Sequence, residues 1–236
     1  MLAVFSGEMV DPPPELVAAG SRTPSPKTRG SELVTRFLRS SEPAVSLQIG
    51  SFAHLAYSHA HQSPFRPRLF AAKDDIFCIF EGVLDNLGSL RHHYGLSKGA
   101  NEAMLLIEAY KTLRDRAPHP TNFMLGHLNG NFSFVIFDKA TSTLLVSSDP
   151  EGKVPLYWGI TSDGCTAFCN DVDLLKGSCG KSLAPFPRGC FYSNKLGGLK
   201  SYEKPKNKVT AKLANDEELC GATFQVEEGS VAMETC

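Results

Sequence analysis

Two imidazoles stand two residues apart in an extended stretch of the sequence, at His59 and His61. On a strand that spacing puts both rings on one face, where they form a candidate metal pair. A third ligand is not evident, because His54 has the opposite parity. The pattern therefore favours surface or hydrogen-bonded histidines over a metal site, and we expect no metal and no other cofactor.

Cysteine could supply a nucleophile, and the chain contains seven cysteines. Their spacing is irregular and no C-x-x-C pair occurs. This indicates reduced thiols in a reducing compartment, and neither a disulfide framework nor a zinc site. Cys78 lies within a continuous apolar run, so we expect its thiol to be buried and inert.

Two hydroxyl residues precede prolines in a stretch rich in Pro, Ser and Thr, at Thr23 and Ser25. Arg22 and Lys27 lie beside them. Both hydroxyls are candidate sites for proline-directed phosphorylation, which would add charge to this part of the surface. The alternative interpretation is a mobile loop that is not modified.

Composition excludes several classes of protein. The 236 residues carry 24 Lys plus Arg and 25 Asp plus Glu, so the net charge of −1 provides no basic stripe for nucleic acid. No apolar run approaches the about 18 residues that span a bilayer, and the apolar N-terminal run lacks the basic flank of a signal peptide. We expect a cytoplasmic protein, with entry into the nucleus open at this size and peripheral membrane contact an open alternative.

The elements that must position these groups alternate between strands and helices. Apolar runs and alternation predict the strands, and apolar stripes of helical period predict the helices. The predicted strands are residues 1–5, 45–49, 55–58, 68–71, 76–80, 131–138, 144–147, 156–160, 166–168, 190–192 and 230–233, and the predicted helices are 31–40, 86–94 and a segment from Asn101 to before Pro118. Residues 11–31 are predicted to be a loop. Strands on either side of a helical pair are typical of an α+β sandwich with antiparallel sheets.

Three segments resemble the glutaminase domain of class II glutamine amidotransferases, in the order found in asparagine synthetases. They read IFEGVLDN at 79–86, LNGNFSFVIFD at 128–138 and SDPEGKVPLYWG at 148–159. The resemblance implies an α+β fold, a four-layer αββα sandwich of the N-terminal-nucleophile type. It also implies one domain over residues 1–236, with a core of about 1–190 and a family-specific C-terminal extension of about 191–236.

A YGL motif and an LRDR motif make the chain similar to the plant aluminium-induced or stem-specific protein family. The motif residues are Tyr94, Gly95 and Leu96, and Leu113, Arg114, Asp115 and Arg116. A structural role for both motifs is one interpretation, with Gly95 ending a helix and the two arginines complementing a helix dipole. The alternative is a surface that faces a partner or a second subunit.

The resemblance also places the glutaminase site, and this chain departs from the family pattern there. The reaction needs a cysteine nucleophile, but the corresponding residue is Leu2. The Arg and Asp that bind the substrate correspond to His59 and Ala100, and the Asn of the oxyanion hole corresponds to Glu81, beside a retained Gly82. We expect these five residues to form a remnant pocket in which no residue is catalytic.

These departures predict a non-catalytic protein of a stress or hormone response. It would act through self-association as a homodimer, through a protein partner, or by holding a small amine or amino acid in the remnant pocket. One alternative is an amide hydrolase or amidotransferase whose site is reassigned to Glu81, His59 and His61. Another is regulation of an active amidotransferase in trans. The segment after Cys190 contains no phosphate-binding glycine-rich loop, so we expect no use of ATP.

Overall fold

Two antiparallel sheets of six strands each form the centre of the protein. The computed structural model describes residues 1–23, 25–60, 62–116, 120–215 and 218–228. The first sheet has the strand order β10-β8-β9-β1-β3-β2. Its strands are β1 (Leu2–Phe5), β2 (Ala44–Ile49), β3 (Ala53–Ser58), β8 (Tyr157–Ile160), β9 (Thr166–Cys169) and β10 (Leu183–Pro185).

The second sheet lies face to face with the first and has the order β12-β11-β7-β6-β5-β4. Its strands are β4 (Arg68–Lys73), β5 (Ile76–Leu84), β6 (Gly130–Asp138), β7 (Thr143–Ser148), β11 (Cys190–Ser193) and β12 (Gly198–Ser201). A separate pair, β13 (Val209–Leu213) and β14 (Ala222–Val226), follows. The Phe224 ring of β14 lies 5.0 Å from the Trp158 ring, so residues after 190 pack on the same core as those before.

Six helices pack around the two sheets in the described part of the chain. They are α1 (Pro14–Arg22), α2 (Gly30–Ser40), α3 (Leu87–His93), α4 (Glu102–Asp115), α5 (Thr121–Gly126) and α6 (Val172–Cys179). α2 and α6 pack on the first sheet, and α4 packs on the second. The layers are therefore helix, sheet, sheet, helix, which confirms the predicted αββα sandwich. Within the described ranges, every helix is too short or too polar to span a membrane.

The shortest central strand shows how the sequence builds these layers. β1 reads LAVF and is buried along its whole length. Successive side chains of a strand point to opposite faces, so a strand covered on both faces must be apolar throughout. Ala3 and Phe5 face the core between the sheets, where Phe5 lies 5.6 Å from the ring of Phe137. Leu2 and Val4 face α2 and α6 on the other side.

Several local predictions are confirmed by the structure. The helix predicted over 31–40 is α2, and the predicted hairpin is the pair β4 and β5. Asn101 caps α4, since its side chain accepts a hydrogen bond of 2.9 Å from the backbone N–H of Met104. Gly95 follows α3 with a φ of +65°, the left-handed conformation expected of a residue that ends a helix.

The loop predicted over 11–31 is wrong in its middle, because residues 14–22 form α1. Three successive prolines suggested a loop, yet Pro14 occupies the first turn of the helix, where a missing N–H costs nothing. Leu16 and Ala19 bury the inner side of α1. The prediction also omitted α5, α6, β10 and β12–β14, and the strand predicted at 230–233 lies outside the described residues.

Candidate functional site

A row of polar side chains crosses the second sheet on the face that meets the first sheet. The strand register places Arg68 opposite Glu81, Glu81 opposite Ser133, and Ser133 opposite Ser148. Residues two apart share a face, and Ile79 and Val135 belong to the core between the sheets. The row therefore faces the gap between the sheets, at one end of an otherwise apolar core.

Arg68 and Glu81 form a buried ion pair in this row. The Arg68 Nε lies 3.1 Å from the Glu81 Oε2, and the two side chains are 13% and 6% exposed. The Arg68 Nη1 also donates to the carbonyl oxygens of Ser58 at 2.9 Å and Ala60 at 3.1 Å, just beyond the end of β3. The guanidinium therefore neutralises the carboxylate and ties β4 to the end of β3 in the first sheet.

Asn170 completes the network from the first sheet. It follows β9, and its Nδ2 donates to the Glu81 Oε2 at 2.7 Å. Its Oδ1 accepts from the Met1 nitrogen at 2.6 Å. The Met1 side chain is 2% exposed and packs between the sheets. Arg68, Glu81 and Asn170, which we call the gap network, thus bind one another and the start of β1 across the two sheets.

One hydroxyl beside the gap network has no partner. The Ser133 Oγ is fully buried and makes no hydrogen bond within the described residues. A cavity of about 380 Å³ is lined by Ser148, the last residue of the polar row, and by none of Arg68, Glu81 and Asn170. Because the Arg68 and Glu81 side chains are only 13% and 6% exposed, these two side chains fill the space around each other at this end of the gap.

The five residues predicted for the remnant pocket lie in different surroundings. Glu81 belongs to the gap network, and Gly82 follows it in β5 with a φ of +125°. A Cβ at Gly82 would lie 2.0 Å from the Asn131 carbonyl oxygen, so the backbone conformation and the close approach both require glycine. Leu2 is fully buried on the opposite face of β1, against the helices.

The other two predicted pocket residues make contacts outside the network. The His59 Nδ1 lies 3.0 Å from the Gln62 Oε1 at an exposed position. The Ala100 carbonyl accepts a 2.6 Å hydrogen bond from the Arg91 Nε, in the connection between α3 and α4. No hydrogen bond joins His59 to Glu81 in the described ranges, and His61 lies outside them.

Burial favours the neutral form of two thiols, one beside Asn170 and one on the helix-covered face of the second sheet. Burial raises the pKa of the Cys169 thiol at the end of β9, and burial also raises the pKa of Cys78 in β5. A nucleophilic thiol needs the opposite shift, because the thiolate is the reactive form. Cys78 is fully buried, as predicted. Because burial raises both pKa values, neither thiol is activated as a nucleophile.

Arg68 and Asn170 were not predicted as site residues. The predicted hairpin contained the signal for Arg68, since pairing across the turn at 73–75 puts residue 68 opposite residue 81. Asn170 has no such signal, because it meets Glu81 only when the two sheets pack together. A sequence shows pairing within a hairpin far more directly than contact between sheets.

The YGL motif ends α3 and packs on the second sheet. The Gly95 N–H donates to the His92 carbonyl at 3.2 Å, and the Leu96 N–H donates to the Arg91 carbonyl at 2.8 Å. Tyr94 and Leu96 contact the core between α4 and the second sheet. These contacts give the motif a structural role.

The LRDR motif fixes the last turn of α4 to the end of β6. Leu113 is buried, and the Arg114 Nη1 lies 3.1 Å from the Oδ2 of the fully buried Asp138. Asp115 is exposed and pairs with the Arg114 Nε at 2.7 Å, while Arg116 is exposed. Burial alone would raise the pKa of Asp138, but hydrogen bonds from Thr141, Arg114 and Tyr110 outweigh it and lower the pKa.

Comparison with known proteins identifies the family of this chain. A sequence model described as aluminium induced protein matches residues 2–226. The chain belongs to the aluminium induced protein family. The chain is also similar to the stem-specific protein TSJT1 of Nicotiana tabacum. The two are 43% identical over 149 residues, which are 62% of this chain and 99% of that protein.

Asparagine synthetases match a shorter stretch of this family member. The glutamine-hydrolysing asparagine synthetase of Zea mays is 36% identical over 78 residues, which are 33% of this chain and only 13% of that enzyme. Among solved structures, the glutamine phosphoribosylpyrophosphate amidotransferase of B. subtilis aligns over 64% of this chain and 34% of its own, at 16% identity and a TM-score of 0.46. The sequence match shows that this chain is similar to the glutaminase domain of asparagine synthetase.

Removing one member of the buried ion pair should destabilise the fold strongly. We expect Arg68→Met to lower the free energy of unfolding by about 3 kcal/mol, because Glu81 would remain buried without its cation. The double variant Arg68→Met/Glu81→Gln should recover part of that loss. Urea unfolding measures both. Lys73→Met at the other end of β4 is the control, since Lys73 forms an exposed pair with Glu108. An Arg68→Met protein as stable as the Lys73→Met protein would contradict the pair's role.

The two arginines of the LRDR motif should differ in their effect on stability. We expect Arg114→Leu to cost about 2 kcal/mol, because Asp138 loses a charged partner, and Arg116→Leu to cost under about 0.5 kcal/mol. The lowered pKa of Asp138 sets the pH dependence. Its contribution is present above the unfolded-state pKa of about 4 and is lost as the pH falls through the lower folded-state pKa. Equal losses in the two variants, measured by denaturant unfolding at neutral pH, would count against this assignment.

Proposed function

We propose that this protein is a non-catalytic relative of the glutaminase domain that acts as a binding or regulatory protein in a stress or hormone response. One observation carries the proposal. The residue that corresponds to the nucleophile, Leu2, is buried against the helices, and on the other side of the sheet Arg68 pairs with Glu81 in the gap. The scaffold is retained, while the groups that would perform the chemistry are replaced by groups that bind one another.

Each chemical requirement of amide hydrolysis is unmet at this site. Nucleophilic attack needs a thiol or hydroxyl, and the residues of β1 carry none. The transition state needs hydrogen-bond donors for an oxyanion, and the Glu81 carboxylate beside Gly82 would repel that charge. Substrate binding needs a free cation for the glutamine carboxylate, and Arg68 is already bound to Glu81 and two carbonyls.

The reassigned enzyme site receives no support from the contacts. Glu81 is bound by Arg68 and Asn170, and His59 is bound to Gln62. A general acid and base must lie within hydrogen-bond reach of the same substrate atoms. The occupied gap also favours a protein surface over a small amine or amino acid as the ligand of this protein.

The free thiols support a cytoplasmic location within this proposal. Six cysteines in the described ranges are unpaired, at positions 78, 165, 169, 179, 190 and 220. Unpaired thiols persist where the environment is reducing, which is typical of the cytoplasm.

Self-association through the edge of the first sheet is the binding mode that we propose. β2 is the last strand of that sheet, and its sequence AVSLQI contains neither a charged residue nor proline. Natural edge strands usually carry such residues to prevent pairing with another chain. Val45 of β2 is 56% exposed. A second copy related by a two-fold axis would pair β2 with its own β2 and cover this side chain.

The purified protein should release no ammonia from glutamine. We expect the rate with L-glutamine or L-asparagine to equal the buffer blank, with an asparagine synthetase as the positive control. Leu2→Cys should also be inactive, because that side chain faces the helices. Mass spectrometry would establish the first residue of the assayed chain. Ammonia release above the blank that is lost in Cys169→Ala or His59→Ala would overturn the proposal.

A charge on β2 should break the dimer. Light scattering of the native protein should give twice the 25.6 kDa of one chain, and Val45→Lys should give the single-chain mass, because pairing would cover an ammonium group of each copy at the edge. Val17→Lys is the matched control, since Val17 on α1 is similarly exposed at 46%. A monomeric native protein, or a Val45→Lys protein that remains dimeric, would contradict this mode.

A further inference from the structure

The connection between α1 and α2 is fixed to the C-terminal end of α6. The Ser25 Oγ accepts a 2.8 Å hydrogen bond from the backbone N–H of Lys181. The Lys27 Nζ donates to the Ser182 Oγ at 2.6 Å, and the Thr28 N–H donates to the Ser178 carbonyl at 3.0 Å. Three hydrogen bonds therefore join residues 25–28 to α6 and to the residues that follow it.

The Ser25 hydroxyl occupies a restricted position in this segment. Gly180 has a φ of +54°, and a Cβ added there would lie 2.1 Å from the Ser25 Oγ. The glycine therefore leaves room for the hydroxyl to approach the backbone N–H that follows α6. Ser25 is half-buried, and it forms part of the wall of a cavity.

A cavity of about 680 Å³ opens beside this hydroxyl. Ser25 and Pro26 form part of its wall, together with Lys176 and Lys181. Asp173 and Glu218 also line it, so two carboxylates balance the two ammonium groups. The Lys181 Nζ also donates to the Glu218 carbonyl, which places this ammonium group at the cavity. An anion added at Ser25 would have two cations and a backbone N–H on the same side of the molecule.

We propose that Ser25 is a phosphorylation site of a proline-directed protein kinase, and that its phosphate is held by the Lys181 N–H and by the ammonium groups of Lys176 and Lys181. Pro26 supplies the residue that such a kinase requires after the hydroxyl. Phosphoserine carries about −1.5 to −2 charges and three acceptor oxygens, which suit this set of donors. The inference holds whether or not the protein is an enzyme.

The modification is a phosphoryl transfer from ATP to the Ser25 hydroxyl. The Ser25 Oγ forms a bond to the γ-phosphorus, and the bond from that phosphorus to the bridging oxygen of ADP breaks. ADP leaves, and the hydroxyl proton passes to the catalytic base of the kinase. The phosphate then joins the connection before α2 to the end of α6 more strongly than the hydroxyl does, because its hydrogen bonds are charge-assisted.

Thr23 is the matched control in the same stretch. It is also followed by a proline, but its backbone N–H caps the end of α1 by donating to the Ala19 carbonyl. Thr23 is not among the residues that line the 680 Å³ cavity. We therefore expect the kinase product at Ser25 to be the modification that changes the stability of the protein.

The test is phosphorylation of the full chain by a proline-directed kinase with ATP, followed by phosphopeptide mass spectrometry and thermal unfolding. We expect about one phosphate per chain at Ser25. Phosphate incorporation should be retained in Thr23→Val and in Ser25→Thr. In Ser25→Ala it should fall at least tenfold. Phosphorylation should raise the melting temperature of the native chain, and this rise should disappear in Lys176→Gln/Lys181→Gln.

Three results would overturn the proposal. They are no incorporation, incorporation confined to Thr23, or phosphorylation of Ser25 that leaves the melting temperature unchanged or lowers it. Because Ser25→Thr keeps a hydroxyl that can accept the Lys181 N–H, it separates loss of the phosphate from loss of the native hydrogen bond.

Discussion

The ion pair between Arg68 and Glu81 is the interaction on which the rest of this site depends. A carboxylate that is 5% exposed between two sheets is tolerable only if it is neutralised and hydrogen-bonded. Arg68 supplies the charge, Asn170 supplies a second donor, and the carbonyls beyond β3 hold the guanidinium in place. Each member is therefore necessary to the burial of the others.

The αββα layers and the buried ion pair place different requirements on the sequence. The αββα layers need only apolar strand faces and apolar helix stripes, and those are present throughout. The gap network places polar groups at one end of the core, where Arg68 and Asn170 bind Glu81, while the Ser133 Oγ and the Arg68 Nε make no hydrogen bond within the described residues. A protein built in this way presents its distinctive features on the outside, at the β2 edge and at the Ser25 connection, and the proposals for binding and regulation follow from that distribution.

The sequence predicted the layers well because their signals are local. The apolar run of β5, the Asn101 cap and the left-handed Gly95 each depend on a few neighbouring residues. Glu81 and Gly82 were also found from the sequence, through resemblance to a known site. α1 was missed because prolines that permit the first turn of a helix are equally typical of loops.

The gap network could not be predicted from local sequence patterns. Asn170 and Glu81 are 89 residues apart, and their 2.7 Å hydrogen bond exists only after two sheets have packed face to face. The separation of Arg68 from Glu81 is shorter and follows from a hairpin register, but its importance follows from burial, which the pairing alone does not show. Sequence resemblance located the site, and the contacts supply the physical argument for the proposed non-catalytic role.

Titration calorimetry with L-glutamine tests the central claim most directly. If the Arg68, Glu81 and Asn170 side chains fill the end of the gap, the native protein should give no saturable heat up to the solubility of the ligand. The heat should remain absent across the pH range in which the protein is folded. Saturable binding of glutamine that is abolished by Arg68→Met in a folded protein would show that the guanidinium is free to hold a substrate carboxylate, and would contradict the account.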